Sequence, residues 1–366
     1  LNTFDNREIP DDIEINNREI KMNKNLIGLS LGVLALPVSG VAFAEVDVHV
    51  LQNKTVQMTI TPDIGGRVLS FQLTEQENFL KVSDEVTRQP KPEVSAHAEN
   101  ISYFGHEMWL GPQSAWWTQQ TVNKERRAAK AIWPADPYLM LGVNKVLEKS
   151  AQHLVMQSPP SPVSGVQMRK SYRLLEQQNT VELAVETKNI HTEPVSWDIW
   201  FNTRVHADTQ VYVPVASEKD IRVDNVKGEN FAPISYSLTD RIFSLDLLPP
   251  PAGKTSRHGK VFIQPEAGWM AGFNAGQLFI IHFPLLPVDT IHPEQGQVEL
   301  YHHYNPDALV ESLLEMELHA AYSTLAPGAT MDAVERWSIF PYGGPDTRAA
   351  QLAFLREKLQ QLKLVK

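Results

Sequence analysis

From residue 46 onward the chain breaks into short segments in which apolar and polar residues alternate, and that period of two leaves few folds open. The clearest is VSWDIWFNTRV, residues 195–205. Val195, Trp197, Ile199, Phe201, Thr203 and Val205 fall on one face of a strand; Ser196, Asp198, Trp200, Asn202 and Arg204 fall on the other. Similar segments occupy 46–52, 55–62, 66–73, 154–159, 166–175, 180–189, 221–226, 242–248, 260–265, 269–275, 278–285, 297–304, 313–321 and 335–342. Many short strands without interleaved helices specify an all-β antiparallel sandwich or barrel. Gly65-Gly66, QSPPSPVSG (157–165), LPPPAG (248–253) and LAPGA (325–329) supply turns between them.

Only two segments read as helix, 117–130 and the C-terminal 346–366. In the latter Leu352, Leu355, Leu359 and Leu362 form one stripe. The stripe is expected to pack on the sheet, with a partner helix as the alternative. No repeat of fixed period and no long linker divides the chain, so one β-sandwich domain is expected over 45–345, followed by the amphipathic helix 346–366. The polar stretch 84–100 reads as a long loop of the kind that often carries function.

The N-terminal segment reads as an export signal that starts at Met22. Met22-Asn-Lys is a weakly basic start, LIGLSLGVLAL (26–36) an apolar core, and AFA (42–44) a cleavage site after Ala44. The apolar run falls short of the ~20 residues of a lasting membrane anchor. Residues 1–21 hold six acids and three bases, a poor signal start, and read as an upstream extension from a misassigned start. The alternative for 26–44 is a buried N-terminal helix. A periplasmic or secreted location is expected. The chain has no cysteine, which removes disulfides, thiolate chemistry and lipidation through Cys. A net charge of −10 argues against nucleic acid or an anionic membrane as the main partner and suits a neutral ligand such as a sugar.

Standard catalytic motifs are absent: there is no HExxH, phosphate loop, GxSxG elbow or EF-hand loop. His302 and His303 are adjacent on a strand, so their side chains diverge, and no metal or cofactor is expected. Chemistry concentrates elsewhere. Trp109, Trp116, Trp117 and Trp133 lie close together, interleaved with His106, Glu107, Gln113 and Gln119. They either fill the core or offer flat faces to sugar rings beside polar groups. Glu299, Tyr301 and His303 share one strand face, and Glu315, Glu317 and His319 share another. Carboxylates beside imidazoles equip acid/base chemistry; the bland alternative is cross-strand pairing on a wet face.

Several of these stretches resemble the galactose mutarotase-like (aldose 1-epimerase-like) superfamily. GGRVLSF (65–71) is similar to its opening strand-turn-strand, VSWDIWFNTRV to its central strand with a Phe-Asn signature, and 315–340 to its closing segment. FGHEMWLGPQ (104–113) resembles a Gly-His-x-x-Trp-x-x-Pro element of an uncharacterised branch. The resemblance implies a large antiparallel β-supersandwich that binds sugar on a concave sheet. It also implies a catalytic His three residues before the Phe, where this chain has Asp198, and a catalytic Glu that corresponds to Glu317, or failing that Glu315. His106 or His206 is then left to supply an acid. The expected site is Glu317, Glu315 and His106 as acid/base residues, with Arg67, Trp109, Asp198, Trp200, Asn202, Arg204 and Glu299 binding a mono- or oligosaccharide. With Asp198 in place of His, carbohydrate binding without turnover is the leading expectation. An aldose 1-epimerase-type or other acid/base sugar-modifying enzyme with Glu317 as base is the alternative, and a structural envelope protein assembling through the leucine stripe is a third. Oligomeric state is left open.

Overall fold

The alternating segments become the strands of two large sheets. The computed structural model describes residues 46–175 and 179–365, so the expected export segment 22–44 and the extension 1–21 lie outside the described residues. The first sheet has eleven strands. Its main path runs His49–Gln52, Val56–Thr61, Arg67–Leu73, His106–Gly111, Val195–Val205, Leu313–His319, Val298–Tyr304, Ser256–Ile263 and Ile221–Asn225. Short strands Phe231–Ala232 and Ser323–Leu325 attach to Ser256–Ile263 and Val195–Val205. The second sheet has ten, in the order Tyr236–Thr239, Ile242–Leu245, Gln210–Pro214, Trp269–Asn274, Gln277–His282, Thr330–Pro341, Thr180–Asn189, Val166–Leu174, His153–Gln157 and Lys145–Lys149. This is the large antiparallel sandwich that the alternation specified.

The inward faces close on each other. Trp197, Ile199, Phe201, Thr203 and Val205 of the central strand are buried, as are Val181, Leu183 and Val185 opposite. Phe71, Phe279 and Trp337 pack ring on ring at 5.2–5.5 Å. Each such side chain contributes roughly 1.5–3 kcal/mol by leaving water. Two polar side chains also point inward from Val166–Leu174: Lys170 Nζ donates to the Gly65 carbonyl at 2.6 Å and Tyr172 Oη to that of Gly66 at 3.0 Å. They pin the turn that carries the chain into the strand Arg67–Leu73. Both glycines sit at positive φ, and a Cβ on Gly65 would lie 2.3 Å from the Met140 carbonyl oxygen.

The C-terminal helix is Arg348–Gln361, started by Thr347, whose side chain accepts from Ala350 N–H. Leu352, Leu355 and Leu359 cover Tyr212, Trp269, Phe273, Leu278, Ile280 and Phe340 on the second sheet. The leucine stripe thus packs on its own sheet. The expected helix 117–130 shrinks to Lys124–Ala129, which Asn123 caps. Several strands escape the alternation test for physical reasons. His106–Gly111 is buried on both faces and Lys145–Lys149 exposed on both, so neither alternates. Among the described residues no helix is long and apolar enough to cross a membrane.

Candidate functional site

Pairing across the first sheet places the polar residues in rungs on the face turned away from the second sheet. Glu299 pairs with Glu317, Glu317 with Asn202, and Asn202 with Glu107. One rung along, Tyr301, Glu315 and Arg204 are aligned. On the other side Trp109, Trp200 and His319 are aligned, and Gly111 pairs with Asp198. Side chains that point the same way on four neighbouring strands therefore converge on one patch.

At its centre Lys260 reaches between two carboxylates, its Nζ 2.7 Å from Glu299 Oε2 and 2.7 Å from Glu317 Oε2. The same ammonium lies 4.6 Å from the centre of the Trp200 ring. Asn202 Nδ2 donates to Glu317 Oε1 at 2.9 Å. His319 is held between two further carboxylate oxygens: Nδ1 is 3.0 Å from Asp198 Oδ1, and Nε2 is 3.4 Å from Glu299 Oε1. Asp198, Glu317 and His319 have no exposed surface, whereas the Lys260 side chain keeps 18 %.

Burial and pairing set the protonation of this group. Burial opposes a charged His319, but Glu299 and Asp198 outweigh it and lift the imidazole to about 9. Burial would also raise Glu299, yet Lys260 and His319 hold it down to about 2. One ammonium cannot neutralise two carboxylates. Burial therefore lifts Glu317 to about 8 despite Lys260. Glu317 therefore takes up a proton more readily than Glu299. Two basic side chains, Lys260 and His319, thus sit among the carboxyl groups of Asp198, Glu299 and Glu317.

A second cluster adjoins it. Glu107 accepts from both Arg67 and Arg204, and Arg204 Nε donates to Glu315 Oε1 at 2.8 Å. Burial alone would raise Glu107, but the two guanidinium groups hold it below the usual range. Arg204 also lies 4.7 Å from the centre of the Trp109 ring. Trp109 in turn meets Trp200 edge-on at 4.9 Å.

Of the residues expected from sequence, Asp198, Trp200, Asn202, Glu299 and Glu317 meet at the centre, with Trp109 at its edge. Arg67, Arg204 and Glu315 belong to the neighbouring ion cluster, where Arg204 is taken up by carboxylates. Trp200 is no open platform either, since Lys260, Trp116 and His319 pack on it. His106 is the main correction. Its strand turns His106, Met108 and Leu110 inward, so the imidazole lies between the sheets, 2.9 Å from Thr203 Oγ1 and edge-on to Trp337. It cannot act with Glu317. His206 is exposed beyond the end of the central strand. The imidazole that joins Asp198 is His319, one strand over.

Sequence reasoning missed Lys260, Gly111 and Gln295. A Cβ on Gly111 would lie 2.2 Å from Gln295 Nε2 and 2.6 Å from Asp198 Oδ2. Gln295, half-buried, can swing aside; Asp198 is tied to His319. Gly111→Ala is therefore expected to cost about 1–3 kcal/mol and to lower the His319 titration midpoint in NMR. An unchanged midpoint would show that Gly111 does not set the Asp198 position.

Buried polar atoms without a hydrogen bond gather here. They include the donors Trp109 Nε1 and Trp200 Nε1 and the acceptors Asp198 Oδ2, Asn202 Oδ1 and Gln295 Oε1. His319 Nε2 has only its longer ion-pair contact to Glu299. Buried polar groups are ordinarily hydrogen-bonded. Among the described residues no group of His, Asp and Glu is arranged to hold a metal ion. A cavity of about 520 Å³ opens elsewhere, lined by His153, Arg169, Ser171, Glu186, Phe283 and Gln297 among others, and its wall reaches His319.

The architecture is a large β-sandwich of two mainly antiparallel sheets. The chain belongs to the family described as a domain of unknown function (DUF4380), whose model matches residues 46–340. Among solved structures it is similar to the Slr1438 protein from Synechocystis, at 10 % identity and a TM-score of 0.51, covering 81 % of this chain and 98 % of that one. A galactose mutarotase-like protein from Lactobacillus casei is similar at 9 % identity and a TM-score of 0.48, over 80 % of this chain and 100 % of that one. A TPR-domain containing protein from Parabacteroides distasonis is similar at 15 % identity and a TM-score of 0.48, over 82 % of this chain. The present chain spans about half of that protein, 49 %. The likeness to the Slr1438 protein bears on fold alone. No curated protein matches the sequence.

Proposed function

We propose that the outer face of the first sheet binds a neutral carbohydrate. The observation that carries this reading is the convergence of unpaired buried donors and acceptors beside indole rings on one patch. Hydroxyl groups donate and accept at once, so a sugar can satisfy both kinds, and its C–H faces suit the surrounding indoles. The cations of this face, Arg67, Arg204 and Lys260, are already paired with carboxylates, which disfavours selection of an anionic ligand. The name of the mutarotase-like neighbour agrees with a sugar ligand. The segment 22–44 further supports export, with cleavage after Ala44.

Binding without turnover is the reading the protonation favours. Burial draws Glu317 toward its protonated form, and Glu299, held near 2, is too weak a base to assist a hydroxyl. The second reading, acid/base interconversion of anomers, draws on the charged His319 beside Glu317. Because Glu317 is lifted to about 8, it becomes a base only above that pH.

Microcalorimetry with neutral and acidic sugars tests the first reading. Saturable binding of neutral sugars is expected, weakened on the order of tenfold by Asn202→Ala, the equivalent of about 1.4 kcal/mol. Absence of binding, or a preference for uronic acids, would overturn it. Polarimetry on fresh α-anomers at pH 7 and pH 9 addresses the second. Acceleration over buffer that appears at pH 9 and disappears in Glu317→Gln would replace binding by catalysis.

A further inference from the structure

Four strand spacings separate His106–Gly111 from Ser256–Ile263 across the face, roughly 19 Å at the usual interstrand distance. That is several times the width of one sugar ring. Both ends carry aromatic side chains. On the first side Trp133 continues the indole stack, 6.0 Å from Trp109 and 6.2 Å from Trp116. It is 45 % exposed, against 5 % and 4 % for those two, so it is the indole of this stack with surface to offer. Trp117, by contrast, is fully buried and donates to the Pro134 carbonyl at 2.7 Å; it fills the core.

On the far side Tyr301 and Phe231 are both half-buried. His258 holds them together, with its Nε2 2.5 Å from Tyr301 Oη and its ring edge-on to Phe231 at 4.9 Å. Tyr301 sits one rung from the carboxylates that Lys260 bridges. The polar centre is thus flanked by partly open aromatic surface in both directions along the sheet.

We propose that this face takes a linear oligosaccharide rather than a single sugar, with Trp133 stacking a ring on one side of the polar centre and Tyr301 with Phe231 receiving one on the other. The proposal rests on the carbohydrate reading and adds chain length to it. A single ring at the centre would leave the open face of Trp133 without a partner, although its other side packs on Trp109 and Trp116.

Fluorescence titration with ladders of neutral gluco- and galacto-oligosaccharides, from one residue to four, tests the length. Affinity is expected to rise at least about tenfold between one ring and three, a stacking contribution of ordinary size. Trp133→Ala should lose that increment, and Trp133→Phe should keep most of it. The exposed position of Trp133 makes both variants foldable, which near-UV dichroism checks. Equal affinity at every length overturns this proposal and leaves the carbohydrate reading standing. So does a Trp133→Ala protein weakened equally for every length. Failure of every sugar in the ladders removes the carbohydrate reading, and this one with it.

Discussion

Replacing Glu107 with alanine is expected to lower unfolding free energy by about 3–5 kcal/mol, the usual cost of removing one partner from a buried ion cluster. Glu107 is the shared acceptor of Arg67 and Arg204, both almost fully buried. Arg204 would retain Glu315, but Arg67 would keep only backbone carbonyls, Phe104 at 2.6 Å and Met140 at 3.4 Å. Its Nε already lacks a partner. The comparison is Glu266→Ala, which removes the exposed pair with Arg241 and should change stability by less than about 1 kcal/mol. Urea melts of both proteins make the measurement. Equal small losses would mean that water reaches Arg67 once the carboxylate is gone. The pH sense follows from the depressed Glu107 carboxyl. Its contribution is present above the ordinary carboxylate range and is lost as pH falls through that range to its lower folded value.

How much of this was readable from residues alone depends on which physical property each feature needs. The sandwich rests on alternation, which a half-buried strand must show, so its alternating strands were legible. The polar row Asp198, Trp200, Asn202 and Arg204 was legible for the same reason. His106 was misplaced because HEMWLG is buried on both sides, and a strand without alternation does not reveal which way its histidine points. Lys260 was overlooked because the strand was read to begin there; it begins at Ser256, which puts Lys260 in mid-strand, facing Glu299 and Glu317. His319 was placed on the right face yet not joined to Asp198, since only register brings their strands into contact. Whether an indole face is open, as for Trp133, or covered, as for Trp200, depends on segments far away in sequence.

Glu335→Gln is expected to stabilise the protein increasingly as pH rises, by several kcal/mol above pH 8. Glu335 lies between the sheets with 1 % exposure, accepting from Trp337 Nε1 at 2.8 Å, with His106 Nε2 3.8 Å away. Burial lifts it to about 8, while in the unfolded chain it ionises near ~4.3. Between these values the native state holds one proton more than the unfolded state. Stability therefore falls with rising pH by about 1.4 kcal/mol per unit, an upper bound of about 5 kcal/mol for the whole interval. Other buried groups add to the total slope, among them His319, lifted to about 9 and acting in the same sense. Glu317, also lifted to about 8, contributes in the same sense; Lys170, lowered by burial to about 7, contributes in the opposite sense above that pH. The difference between wild type and Glu335→Gln isolates one proton from all of these, because glutamine keeps an acceptor for Trp337 and cannot ionise. The competing arrangement is an ion pair of charged Glu335 with charged His106. Burial and the nearby Lys170, Arg204 and Arg67 all hold the imidazole well below its ordinary range, which disfavours that pair. Chemical denaturation at intervals from pH 5 to pH 9 decides between them. A stability difference that grows through neutrality and levels off near pH 8 fits the protonated carboxyl, whereas a glutamine variant less stable at every pH would establish the ion pair.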